Sequence, residues 1–120
     1  MIDAEQPIFE RGDVVYGDDP FNGGEAARPW LIVSNHEGRS FHGEQYLALT
    51  LTTRSWMDGL VEIPEGAWIR GGTPATSRIV PWGVQSLARS DIDRWQGRLR
   101  DGVVDGAVDA LVDEIRRSDT

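Results

Sequence analysis

The chain has 120 residues, with 12 arginines and no lysine against 20 acidic side chains, a formal charge of −8 and no cysteine. That length supports one modest core. The missing cysteines exclude a disulfide framework and a thiolate metal site, and no apolar run approaches the roughly 20 residues that span a bilayer.

Residues 1–8 are polar and irregular and are expected to form a flexible arm. Met1-Ile2-Asp3-Ala4-Glu5 lacks the basic start and apolar core of a signal peptide, so the expected location is the cytoplasm. Residues 9–117 are expected to form a single domain. The first strand is predicted at 13–16, ended by the turn-rich Gly17-Asp18-Asp19-Pro20. A second strand, apolar on both faces, is predicted at 30–34. The third, 46–53, alternates with period two: Leu47, Leu49 and Leu51 share one face, and Tyr46, Ala48, Thr50 and Thr52 share the other. Further strands are predicted at 60–63 and 78–87, the latter bent at Pro81 or Gly83.

A short helical turn is predicted to begin at Ser90. Beyond it, Val104, Val108, Leu111 and Ile115 recur at helical spacing. Asp101 is the predicted N-cap, and Arg116 and Arg117 suit the negative end of the helix dipole. Several short strands closed by one helix predict a mainly β protein, a small antiparallel barrel or half-barrel rather than a βαβ sheet.

Charge says less about partners than it first suggests. An acidic field repels phosphate in dilute salt. An acidic surface without lysine also matches the composition of salt-loving archaea, and at molar salt the Debye length is about 3 Å. Direct contacts inside a pocket then decide binding.

The candidate chemistry begins at Arg28. Pro29 pushes it out of the α region, and the strand that follows fixes its backbone. A rigidly held guanidinium makes paired hydrogen bonds to carboxylate or phosphate. Taken alone, a surface ion pair is the commoner fate of such an arginine. Thr50, Thr52 and Thr53 close the third strand, where threonine is favoured anyway and where a hydroxyl is also able to donate to a phosphoryl oxygen. Glu25 is either a general base or a loop charge. In His36-Glu37-Gly38-Arg39-Ser40-Phe41-His42-Gly43-Glu44 the spacing is not that of a helical zinc site, and no metal site is predicted. The two histidines remain an alternative acid–base pair. Arg70-Gly71-Gly72-Thr73-Pro74 lacks the lysine-threonine end and the following helix of a nucleotide cradle and is read as a turn. Trp30 and Trp82 lie in apolar strand patterns and are expected in the core. Trp56 and Trp68 flank loops, at the edge of the core or placed to stack bases.

In order, Arg11-Gly12-Asp13-Val14-Val15, the Gly23-Gly24-Glu25 loop, Arg28-Pro29, Leu31-Ile32-Val33-Ser34-Asn35, Leu51-Thr52-Thr53, Gly59-Leu60-Val61-Glu62-Ile63, Val84-Gln85-Ser86-Leu87 and a final helix resemble the MazF/PemK (Kid) family of toxin–antitoxin toxins over roughly residues 9–116. The resemblance implies the SH3-like barrel shared by MazF, PemK and CcdB, and a homodimer. It implies a metal-independent, sequence-selective endoribonuclease that needs no cofactor, cuts single-stranded RNA and stops translation until an antitoxin neutralises it. It places the family's arginine at Arg28, its threonine at Thr52 with Thr50 as the alternative on the same face, and its glutamate at Glu25. Arg28 and Thr52 would hold the charge developing on the phosphoryl oxygens, one such donor being worth about 10²–10³ in rate. Glu25 would be the base, with His36 or His42 as substitutes. Thr50, Thr53, Arg54, Trp56, Gln85 and His36 are the candidate RNA contacts.

Two departures from the family stand out. The loop between Glu25 and Arg28 is shorter than usual, and Pro81-Trp82-Gly83 precedes Val84-Gln85-Ser86 where members often carry a polar and a basic residue. The alternative expectation is therefore a barrel that binds RNA or a protein without cutting. A gyrase-poisoning relative of the same fold is a third, with little to recommend it.

Overall fold

The computed structural model describes residues 8–20, 27–35, 40–41 and 43–117. The strands are β1 (Asp13–Asp18), β2 (Ala27–Ile32), β3 (Gln45–Thr52), β4 (Val61–Glu62), β5 (Trp68–Gly71), β6 (Arg78–Ala88) and β7 (Ile92–Leu99), followed by helix α1 (Asp101–Arg116). They form one seven-stranded sheet in the order β4-β6-β3-β2-β1-β7-β5, and every pairing is antiparallel. The architecture is a mainly β half-barrel with one C-terminal helix.

Period-two alternation sorts the strands' side chains between two apolar clusters. Val14, Leu31, Leu49, Leu51, Ile79 and Leu99 meet Val104 and Ala107 of α1 on one side. Val15, Trp30, Ile32, Tyr46, Ala48 and Leu87 gather on the other, with Phe9 packed among them. The Phe9 and Tyr46 rings meet edge to face at 5.8 Å, a favoured geometry for the aromatic quadrupole. Both faces of the central strands are therefore buried, which is why residues 30–33 read as a continuous apolar run.

The Arg11-Gly12-Asp13 stretch fastens the sheet. Arg11 Nη1 donates to the Val33 carbonyl at 3.2 Å, and its other terminal nitrogen pairs with Asp105 of α1. The Gly12 amide donates to Ile32, and its carbonyl accepts from Leu99. Asp13 Oδ1 accepts from Arg98 Nη1 at 3.0 Å and Trp95 Nε1 at 3.3 Å, while Oδ2 accepts from the Glu10 amide at 2.8 Å.

Several expectations need correction. Strands β5 and β7 were not anticipated, because Ile92–Leu99 carries Asp93, Arg94, Gln96 and Arg98 and shows no apolar alternation. The turn expected at Ser90 is a 3₁₀ turn confined to Arg89–Asp91 before that strand begins. Strand β2 starts earlier and ends earlier than 30–34, because β1 pairs along it from Ala27 to Leu31. The α1 N-cap is Arg100, with Asp101 in the first turn, where its charge still suits the dipole. Ile115 faces solvent, beyond the reach of the sheet. The stretch read as a turn at 70–74 is instead the end of β5: Arg70 and Gly71 pair with β7, and the Gly72 amide donates to the Gln96 carbonyl of the same strand. Most of the 1–8 arm lies outside the described residues. Among the described residues no helix is long and apolar enough to cross a membrane.

Candidate functional site

A cleft of about 470 Å³ opens at one end of β2, β3 and β6, lined by Ala27, Arg28, Pro29, Thr50 to Arg54, Met57, Val80, Trp82 and Gly83. Two irregularities in the sheet create it. The β2–β3 ladder runs from Ile32↔Ala48 to Trp30↔Thr50 and ends there, because the next residue, Pro29, has no N–H to give. Continued by two residues, the same register would set Arg28 opposite Thr52. The strands part instead, and both side chains line the gap. On the other side of β3, Leu49 pairs with Val84 but Leu51 pairs with Ile79. Strand β6 therefore spends Val80-Pro81-Trp82-Gly83 in a bulge opposite Thr50. Such bulges re-aim side chains at the end of a sheet. A side chain at Gly83 would displace Thr50, since a Cβ at this position would lie 2.6 Å from Thr50 Cγ2.

Arg28 is held from below. Its Nε lies 3.7 Å from Asp19 Oδ2, an ion pair in which the arginine side chain is 38% exposed and the aspartate 12%. That distance is too long for a hydrogen bond, and Nε itself is buried with no hydrogen-bond partner among the described residues. The guanidinium is thus oriented by a carboxylate at its inner edge while the side chain as a whole reaches the cleft.

The threonines differ from one another. Thr52 Oγ1 accepts a hydrogen bond from the Arg54 amide at 3.1 Å. A hydroxyl that accepts in this way keeps its own hydrogen for a ligand. Thr50 Oγ1 instead donates to the Leu51 carbonyl, at a long 3.4 Å. Thr53 and Arg54 are exposed at the rim, and the Arg54 guanidinium stands 5.9 Å from the Trp56 ring centroid.

The structure therefore brings Arg28, Thr50, Thr52, Thr53 and Arg54 to one cleft. Trp56, expected either at a core edge or as a stacking residue for RNA, is 74% exposed and does not line the cleft. Gln85 lies beyond the bulge, opposite Ala48, and does not line the cleft. Glu25, His36 and His42 lie outside the described residues. Trp82, expected in the core, is 42% exposed and forms part of the cleft wall. Its flanking Pro81 and Gly83 were the available signal, since both residues mark bulges when they occur inside strands. Asp19 was missed because its role depends on the register of β1 against β2.

Among the described lining residues there are two arginines, three threonines and no carboxylate, in a chain whose net charge is −8. A second depression of similar size, about 460 Å³ beside Trp68 and Thr73, has Glu65 and no arginine in its lining. The first cleft is suited to an anion, and the second is not.

A curled seven-stranded antiparallel sheet with one C-terminal helix is a MazF-type fold, and solved MazF structures match it over nearly the whole chain. MazF from Deinococcus radiodurans superposes with a TM-score of 0.73 at 16% identity, over 92% of this chain and 99% of that one. A MazE–MazF structure from the same organism gives 0.68 at 19% identity, over 94% and 100%. An endoribonuclease in complex with its cognate antitoxin, from a mycobacterial species, gives 0.65 at 24% identity, over 92% and 97%. No family model and no curated protein sequence matches the chain.

Proposed function

We propose that this protein is a toxin of the MazF type: a metal-independent, sequence-selective endoribonuclease that cleaves single-stranded RNA in the cytoplasm, acts as a homodimer and is neutralised by an antitoxin. The observation that carries the reading is the cleft whose described lining gathers Arg28, Arg54 and three threonines, with no carboxylate among those described residues, in an otherwise acidic protein. The fold it shares with solved endoribonuclease and MazE–MazF structures supports the same reading.

The chemistry follows from the groups present. The RNA's own 2′-hydroxyl attacks the adjacent phosphorus and the P–O5′ bond breaks, leaving a 2′,3′-cyclic phosphate and a 5′-hydroxyl. Negative charge builds on the non-bridging oxygens at the transition state. Arg28 clamps that charge, since a guanidinium matches two phosphoryl oxygens at once, and the free O–H of Thr52 gives a second bond. Mounting both donors on strand ends supplies the fixed geometry on which such stabilisation depends. Glu25 is the proposed base for the 2′-hydroxyl proton, with His36 or His42 as its substitutes, and the departing 5′-oxygen takes its proton from water.

The test is cleavage of a long single-stranded RNA in high-salt buffer containing EDTA, with end-group analysis. Discrete cuts ending in cyclic phosphate, lost in Arg28→Ala, are expected. Intact RNA from folded dimeric wild-type protein would leave the alternative, a barrel that binds without cutting.

A further inference from the structure

We infer that Trp82 is a stacking platform for one unpaired nucleobase of the substrate, the base next to the phosphate held by Arg28 and Thr52. This rests on the ribonuclease reading above and names a substrate-positioning contact within it.

Four observations carry the inference. Trp82 is 42% exposed, yet it belongs to the wall of the same cleft as Arg28 and Thr52 rather than to a scattered surface position. Its backbone sits in the bulge of β6, between Pro81 and Gly83, so the side chain is turned out of the alternation that buries Val80 and Leu87. The ring is also supported. Gly59 adopts φ +86°, and a Cβ there would lie 3.3 Å from the Trp82 ring atom Cζ3, so the 53–60 segment lies close against one edge of the indole. Finally, the cleft offers cations and hydroxyls without a carboxylate among its described lining residues. An indole face beside such groups fits a ligand that is both anionic and aromatic, as a single-stranded nucleotide is. Base-on-tryptophan stacking is sequence-tolerant and contributes at the level of a single base. Trp56 is the weaker choice, because it stands outside the cleft and its ring already lies near the Arg54 guanidinium.

The probes are a short RNA spanning a mapped cut site, made uncleavable by a 2′-deoxy nucleotide at the scissile position, and the same RNA with an abasic residue on either side of that phosphate. Binding is read by fluorescence anisotropy for wild type, Trp82→Phe, Trp82→Leu and Trp82→Ala. Trp82→Leu keeps an apolar contact for the 53–60 segment, so it reports on stacking even if the alanine variant is poorly folded. Loss of the indole in Trp82→Leu is expected to weaken binding by about tenfold or more, with Trp82→Phe close to wild type. In cleavage the loss should appear mainly in KM. One abasic substitution should weaken wild type by a similar factor and leave Trp82→Leu unaffected, since ring and base act as one contact. Equal abasic penalties in both proteins, or unchanged binding by Trp82→Leu, would overturn the inference while leaving the ribonuclease intact. A dimer lost in Trp82→Leu would assign the ring to a protein contact and overturn it equally. Failure of wild type to bind or cut RNA at all would remove the ribonuclease reading itself, and this one with it.

Discussion

Arg28 and Thr52 line one cleft although strands β2 and β3 stop pairing at Trp30 and Thr50, two residues short of them. The proline that ends the ladder thus converts neighbouring strand ends into two walls of a site. Because Arg28 is 38% exposed and its ion pair with Asp19 is long, it should matter to chemistry far more than to folding. Arg28→Ala is expected to lower kcat by at least about 10²-fold and to change unfolding free energy by no more than about 1 kcal/mol. Arg28→Lys should recover little activity, since an ammonium cannot make the paired contact. Single-turnover cleavage beside denaturant unfolding checks both halves.

The hydroxyls should separate in the same assay. Thr52 keeps a hydrogen to donate because its oxygen accepts from the Arg54 amide, whereas Thr50 directs its own hydrogen toward Leu51. Thr52→Ser is expected to retain most activity, and Thr52→Ala to lose about 10²-fold. Thr50→Ala should cost much less than Thr52→Ala. Equal losses at the two positions would show that the register does not select between them.

Asp13 has the opposite profile. Its carboxylate is 13% exposed and binds Arg98, and it also accepts from Trp95 and the Glu10 amide. Asp13→Ala leaves these donors without their acceptor, at a cost of about 2–3 kcal/mol. Urea unfolding should register that loss, while cleavage per folded molecule stays unchanged.

A salt-adapted origin makes a separate prediction. With 20 acidic side chains against 12 arginines, repulsion among carboxylates should weaken the fold in dilute buffer. Raising KCl from 0.1 M to 1 M shortens the Debye length from about 10 Å to about 3 Å, and the thermal midpoint is expected to rise with it. Full stability and a dimer in dilute buffer would count against such an origin.

The central strands were legible because burial on both faces writes itself into Trp30 to Val33 and into the leucines of β3. The helix was legible from its 3.6-residue spacing. Strand β7 was not, since its contribution is mostly backbone: Arg94 covers the Tyr16 ring and Arg98 pairs with Asp13, and neither contact leaves an apolar signature. At the site, Arg28 and Thr52 followed from strand ends and from resemblance. Trp82 and Asp19 depended on a bulge and on a register, which are relations between distant segments rather than patterns along one.

The sheet has a further consequence at its margins. Its two outermost strands are only two and four residues long, β4 and β5. They cover only Arg78 and Ile79 of β6 and the 96–99 end of β7, and the rest of each longer strand has no outer partner strand among the described residues. Such an edge would offer another chain a template. Pro81 and the bulge of β6, and the charged Asp93 and Arg94 of β7, are features that discourage edge-to-edge pairing, so concentrated samples should resist fibre-like association.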